Sequence, residues 1–464
     1  MSRWLRTAPV LIALVSTGAL LVYEGIFRKL QPDALFSSNQ VKTIPYLFQN
    51  YASDDLLQTV KIADLVNFGP LGLWYFHIQP PLHQAILYVL ALPEVFRSAP
   101  ITSEIVDLRM YVFYTIVYGL INALIFIWAR DLTHSTRLSL IVAVLWAIYP
   151  GNIQMATLLD GTYLSLYLIT LTLYLLYRFL KTRTPKYLTL FLLALTVTSY
   201  ARTIFQIHVA LILVVAIGCF WWMQKDRRRI GFMVLDVLLV LVMLALPVKQ
   251  YLMFSSFSTT TFGGYHRTGM LFYDPPAELY YSVQVPENIL RNAEVFKSDN
   301  NVPIIAADNY IREQLANEWL KTHPISETAS ILMKSLDLNF QGAMAPTSEY
   351  GKNNLAQGVP WRTPMDNLLS GYLYVFLAIV SIIGIFVLRG YRDAWGLLRR
   401  YGWLISLYLM IGLTIGLQNR MEWSEANRLK VFLEIPVWLA ATYLVHLIGV
   451  RVSHRGEQTK SAVA

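Results

Sequence analysis

Apolar residues in this chain come in long runs rather than in the one-faced or alternating patterns of a soluble domain. Such runs recur near 8–24, 108–129, 138–150, 160–179, 187–201, 204–223, 230–249, 367–388, 402–417 and 431–450. A helix rises ~1.5 Å per residue, so about 20 apolar residues cross a hydrocarbon core of about 30 Å. The pattern predicts an all-α polytopic membrane protein, a bundle of about ten transmembrane helices. Two long polar stretches interrupt it, at about 24–107 and about 250–366, with shorter turns at 150–159 and 418–430. Loops of such length are usually functional. The chain thus divides into an N-terminal transmembrane module (1–249), a large loop between spans 7 and 8 (250–366) and a C-terminal transmembrane module (367–464).

The sidedness of basic residues orients this bundle. With ten spans, one side holds Arg3 and Arg6, Arg130–Arg137, Arg178–Lys186, Lys225–Arg229, Arg389–Arg400 and the tail from Arg451. Those segments carry 19 of the 38 Lys and Arg but only 4 of the 29 acidic residues, so they are assigned to the cytoplasm with both termini. One further apolar run, Leu82–Phe96, would place Lys225–Arg229 outside if it were a span. It is therefore read as an interfacial helix on the outer leaflet. The first run, Ala8 to Tyr23, has no small-x-small cleavage site after it and is read as an uncleaved first span. In the large loop, Ile311, Leu315 and Leu320 after Pro303 recur at helical spacing, and Ile331, Leu332 and Leu336 follow His323-Pro324. Gly263-Gly264 and Pro275-Pro276 are read as turns.

Composition agrees with the pattern. The chain is 55% hydrophobic and 14% charged over 464 residues, with a mean hydropathy of +0.45. A soluble domain carries about a quarter charged residues. The net charge of +9 does not point to nucleic acid, because the basic residues punctuate apolar spans instead of forming a patch. The lone cysteine, Cys219, lies in an apolar run and supports neither an internal disulfide nor a cysteine metal site.

Candidate chemistry gathers in the outside segments. The first loop carries Asp54-Asp55 and then His77-Ile78-Gln79-Pro80-Pro81-Leu82-His83. A carboxylate at the membrane surface can take a proton from an acceptor hydroxyl or bind a divalent metal; the other reading is that the pair caps a helix. The small late loop sets Arg420, Arg428 and Lys430 beside Glu422 and Glu425. Cations against the positive-inside trend suit a phosphate, or pair with those carboxylates. Further charges at span ends are Arg109, Asp160, Arg202 and Lys249, with His266-Arg267 in the large loop. Each is a site candidate, with snorkelling to the interface as the plainer account. Asp236, His208 and His446 are isolated and read as structural.

In order and approximate spacing these residues resemble the C-type glycosyltransferase superfamily, which includes protein O-mannosyltransferases and the aminoarabinose transferases of lipid A. Asp54-Asp55, Pro80-Pro81-Leu82 and Arg109 look like its first-loop acidic motif, surface-helix start and second-span arginine. Tyr149-Pro150 with Asp160, Ser199-Tyr200-Ala201-Arg202, His323-Pro324 with Lys334, and Glu425-Ala426-Asn427-Arg428 followed by Glu434 and Pro436 look like its later segments. Two positions depart: Asp55 stands where Glu is commoner, and two residues separate His77 from Pro80. The resemblance implies an inverting enzyme that moves a sugar from a polyprenyl-phosphate carrier to a lipid, glycan or protein acceptor. The site would face the periplasm of a bacterial inner membrane, with no certain cofactor and no nucleic-acid partner. Asp54 would be the general base and Asp55 its positioner. Arg428, Arg420, Lys430 and Arg202 would hold the donor phosphate. His77, His83, Arg109, Asp160, His266, Arg267 and Glu425 are further site candidates. An O-antigen polymerase or ligase and a lipid-linked-sugar flippase are the alternatives. A flippase would need polar residues through its spans, and these spans are nearly charge-free.

Overall fold

In a bilayer every backbone polar group must find an internal partner, so runs of apolar residues fold as helices. The computed structural model describes residues 3–30, 60–97, 101, 103–149, 152–153, 156, 161–202, 217–218, 221, 230–256, 258–261, 263–271, 273–298, 301–341, 371–418 and 426–463. These residues are almost entirely helical, and no β-strand occurs among them. In chain order the described helices are α1 (Arg3–Leu30), α2 (Ile62–Phe68), α3 (Leu71–Tyr75), α4 (Leu82–Phe96), α5 (Ser103–Thr133), α6 (Thr136–Ala147), α7 (Gly161–Thr182), α8 (Pro185–Ala201) and α9 (Ile230–Phe254). The large loop contributes α10 (Gly263–Met270), α11 (Ala277–Ser282), α12 (Glu287–Val295), α13 (Pro303–Thr322) and α14 (Ile325–Gln341). The last three are α15 (Gly371–Arg389), α16 (Tyr391–Gln418) and α17 (Ala426–Val463).

Four stretches among the described residues are long and apolar enough to cross a membrane: Leu108–Thr133, Gly161–Thr182, Ile230–Phe254 and Leu433–Ser453. Thr7–Val22, Leu82–Phe96, Thr136–Ala147 and Phe376–Arg389 are apolar but shorter. Helices of this length and composition are consistent with an integral membrane protein. The expected span 204–223 lies almost entirely outside the described residues, as does Cys219.

Local chemistry sets the helix ends. The Ser135 side chain accepts the Leu138 N–H and opens α6. Proline fills the first turn of α8 and of α13, where no N–H is needed. The reversals after α5 and α7 place His134 and Arg183 in the left-handed region, with φ of 55° and 56°. These two turns meet at one end of the bundle. Arg178 pairs with Asp131 at 2.8 Å, Tyr174 and Lys181 also reach Asp131, and Tyr177 stacks on Tyr401. Two of the basic segments expected on one side are thus adjacent in space. Hydroxyls inside the apolar helices bond back to carbonyls four residues earlier, as at Ser165, Thr170, Thr172 and Thr198. Helices α1 and α5 come close where Gly119 faces Ala13 and Thr17.

The helices expected after Pro303 and after His323-Pro324 are α13 and α14. The reading of Gly263-Gly264 as a turn is corrected, because both residues open α10. A Cβ on Gly264 would collide with the Asn309 carbonyl of α13, and the Gly264 N–H donates to Asn309 Oδ1 at 2.6 Å. Close helix packing, not chain reversal, requires glycine there.

Candidate functional site

Opposite the Asp131 cluster, the first loop and the large loop lock together around residues 75–78. The carbonyl of Phe76 accepts from Lys249 Nζ at 2.8 Å. That of His77 accepts from the Thr261 N–H at 2.8 Å and from Gln250 Nε2 at 3.4 Å. The carbonyl of Ile78 accepts from the Thr260 hydroxyl, and Asn301 takes the His77 N–H at 3.0 Å. The His77 ring is fully buried, 4.7 Å from the Phe254 ring, and its Nδ1 shares a 2.8 Å hydrogen bond with Thr261 Oγ1. Burial, and after it the nearby Lys249 charge, lower its pKa from 6.5 to about 3. His77 is therefore neutral and holds two loops in register. The hydroxyl run that completes the latch, Ser256 and Ser258 to Thr261, is buried throughout. The sequence signal for it is a cluster of Ser and Thr directly after an apolar span.

The second gathering is at the end of the bundle where α6 and α8 finish and α7 starts. Arg202 closes α8 in an extended conformation and donates from a guanidinium nitrogen to Thr162 Oγ1 at 3.1 Å. His83, in the first turn of α4, is buried against the first residue of α7: a Cβ on Gly161 would lie 3.6 Å from the His83 Cβ. Tyr163 donates to Asn152 Oδ1 at 2.8 Å, and Asn152 Nδ2 donates to the Trp146 carbonyl at 3.0 Å. Tyr149 donates to Glu434 Oε1 at 3.4 Å, and Glu434 is fully buried. Tyr408 donates to the neighbouring Leu433 carbonyl at 3.0 Å. Two sequence candidates from distant segments, His83 and Arg202, are thereby brought to the start of α7.

Other candidates are engaged elsewhere. Arg109 meets Glu94 of α4 through both terminal nitrogens, one of them 2.5 Å from Glu94 Oε1, and also reaches the Leu90 carbonyl. The Arg109 guanidinium holds the Glu94 carboxyl below its ordinary pKa. This pair clamps α4 to α5. Arg267 bonds Asn317 at 2.8 Å and Glu313 at 3.3 Å, both on α13. His266 is in α10, and Arg428 and Lys430 fall in the first turns of α17. Asp54, Asp55, Asp160, Arg420 and Glu425 lie outside the described residues. Asp236 is satisfied by Thr189 at 2.5 Å and Trp221 at 3.0 Å, which fits a structural role. The described residues bring no three of His, Cys, Asp or Glu together as metal ligands.

Comparison of this chain with family models, with curated proteins and with solved structures gives no match.

Proposed function

We propose that this protein is a membrane glycosyltransferase of the C type, which takes a sugar from a polyprenyl-phosphate carrier. It would cross the membrane about ten times, with α4 lying on the outer surface and the site facing the periplasm. Asp54 takes the proton of the acceptor hydroxyl, and Asp55 positions it. Arg202 and Arg428, with Arg420 and Lys430, hold the phosphate and stabilise its charge as the carrier leaves. The observation that carries the reading is the meeting of His83 and Arg202 at the start of α7, because Pro80-Pro81-Leu82, Asp160 and Ser199-Tyr200-Ala201-Arg202, the motif positions beside these residues, stand in the superfamily's order along the chain.

The test is transfer by purified protein from a radiolabelled polyprenyl-phosphate sugar to an extract of envelope lipids and glycans. Asp54→Asn should lower turnover by roughly 10²–10⁴-fold while leaving the protein folded. Transfer at the wild-type rate removes Asp54 from its role. Transfer of a whole oligosaccharide from a pyrophosphate carrier, with none from the monophosphate, replaces the reading with a polymerase or ligase.

A further inference from the structure

Glu434 sits at the start of the apolar stretch Leu433–Ser453 and is fully buried. Its Oε1 accepts from Tyr149, while its Oε2 has no protein partner. One helical turn on, and so on the same face of α17, is Trp438, whose indole N–H is buried and also without a partner. The ring of Trp438 lies 6.2 Å from that of Trp146 and 6.3 Å from that of Tyr149. Trp146 is fully buried, and its N–H too has no partner. A carboxyl oxygen and two indole N–H groups thus remain unanswered within one aromatic cluster. Polar atoms at such depth are costly unless something completes their hydrogen bonds.

The donor set narrows what that partner is. An anion would answer the two N–H groups but meet the Glu434 carboxyl. A cation would answer Glu434 and leave both N–H groups without acceptors. A hydroxyl both donates and accepts, so a neutral polyhydroxyl ring answers all three, and aromatic faces suit its C–H surface. The cluster is also continuous with the arginine side of the site. Trp146 is linked through Asn152 to Tyr163, and the adjacent Thr162 bonds Arg202. Arg428 precedes Glu434 by six residues of α17, about 9 Å along a helix axis.

We propose that Glu434, Trp146 and Trp438 form the subsite for the sugar ring of the lipid-linked donor, with Glu434 accepting from its hydroxyls. This rests on the glycosyltransferase reading and adds to it the residues that distinguish a glycosylated carrier from a bare one. Ordered water alone in the cluster is the competing account.

The experiment measures binding to purified full-length protein in lipid nanodiscs. The probes are polyprenyl phosphate of one chain length, either bare or carrying glucose, mannose or galactose. Wild-type protein should prefer one glycosylated lipid over the bare one. Glu434→Gln and Trp438→Phe should each reduce that preference by about tenfold, with affinity for bare lipid held within about twofold. If Glu434→Gln fails to fold, Trp438→Phe and Trp146→Phe, which keep an aromatic ring, carry the test. An unchanged preference in the folded variants overturns the subsite and leaves water in the cluster. Equal wild-type affinity for bare and every glycosylated lipid also overturns it, while leaving a phosphate-lipid site standing. Wild-type protein that binds none of the lipids overturns the donor reading, and the subsite with it.

Discussion

Helices α7 and α9 read alike along the chain, as apolar runs of 22 and 25 residues, yet they occupy opposite kinds of place. Of the apolar stretch of α7, 83% is buried inside the protein; of that of α9, only 28%. Helix α7 is enclosed by α5, α8, α16 and α17, and its first turn forms one wall of the candidate site. Helix α9 packs on α8 and α12 and leaves Val234, Leu235, Val237, Leu238, Leu241 and Val242 exposed. The sign of the difference is polar. Helix α7 carries Thr162, Ser165, Thr170 and Thr172, all buried, while α9 has no Ser or Thr. Lipid offers no hydrogen bonds, so hydroxyls turn towards the interior of a bundle, and a purely aliphatic surface is free to face lipid.

The sharpest break of that comparison is a matched pair of truncations. Leu166→Ala, at a fully buried position of α7, should cost ~2–5 kcal/mol, because it opens a cavity among packed helices. Leu241→Ala, 57% exposed on α9, should cost less than ~0.5 kcal/mol, because lipid fills the space. Unfolding of the two variants in the same detergent reads the difference, and equal losses would mean that α9 is covered by protein. Next in size is the polar exception on α9. Asp236→Ala leaves Thr189 and Trp221 without their acceptor and should cost about 1–3 kcal/mol. Asp236→Asn, which keeps one oxygen, should recover part of that loss in the same assay.

A third effect, spread over several pH units, concerns the far end of α9, where Lys249 and Gln250 turn inward to the His77 latch. With a folded pKa of about 3 against 6.5, His77 refuses a proton that the unfolded chain takes up. Its contribution is complete above about pH 6.5 and declines as the pH falls towards 3. The slope has a ceiling of ~1.4 kcal/mol per pH unit for one proton. His77→Gln should flatten the decline in thermal stability over that range. An unaltered acid profile would assign the decline to other groups.

Several features were legible in the chain because they depend on neighbours in sequence. The apolar runs, the helix after Pro80-Pro81, the proline starts of α8 and α13 and the helices of the large loop are of this kind. Gly263-Gly264 misled because a glycine pair marks either a turn or a close approach, and only the position of α13 distinguishes them. Arg109 looked like a site residue from its place at a span head, and nothing near it in sequence showed that Glu94, 15 residues earlier, would take both of its terminal nitrogens. Glu434 was visible only as part of a terminal segment. Its interest comes from burial beside Tyr149, a residue 285 positions away.

By itself, then, the amino-acid sequence determined that this protein is helical, that it is suited to a membrane and that its polar residues are concentrated in a few segments. These follow from composition and local periodicity, which act over a few turns of chain. The tertiary structure alone decided that α7 is central and α9 peripheral. It alone tied residues 75–78 to the large loop and gathered Arg202, Thr162 and His83 with the Glu434 cluster close by. Each of those outcomes is a pairing of groups far apart along the chain, made when helices pack and each buried donor must find an acceptor.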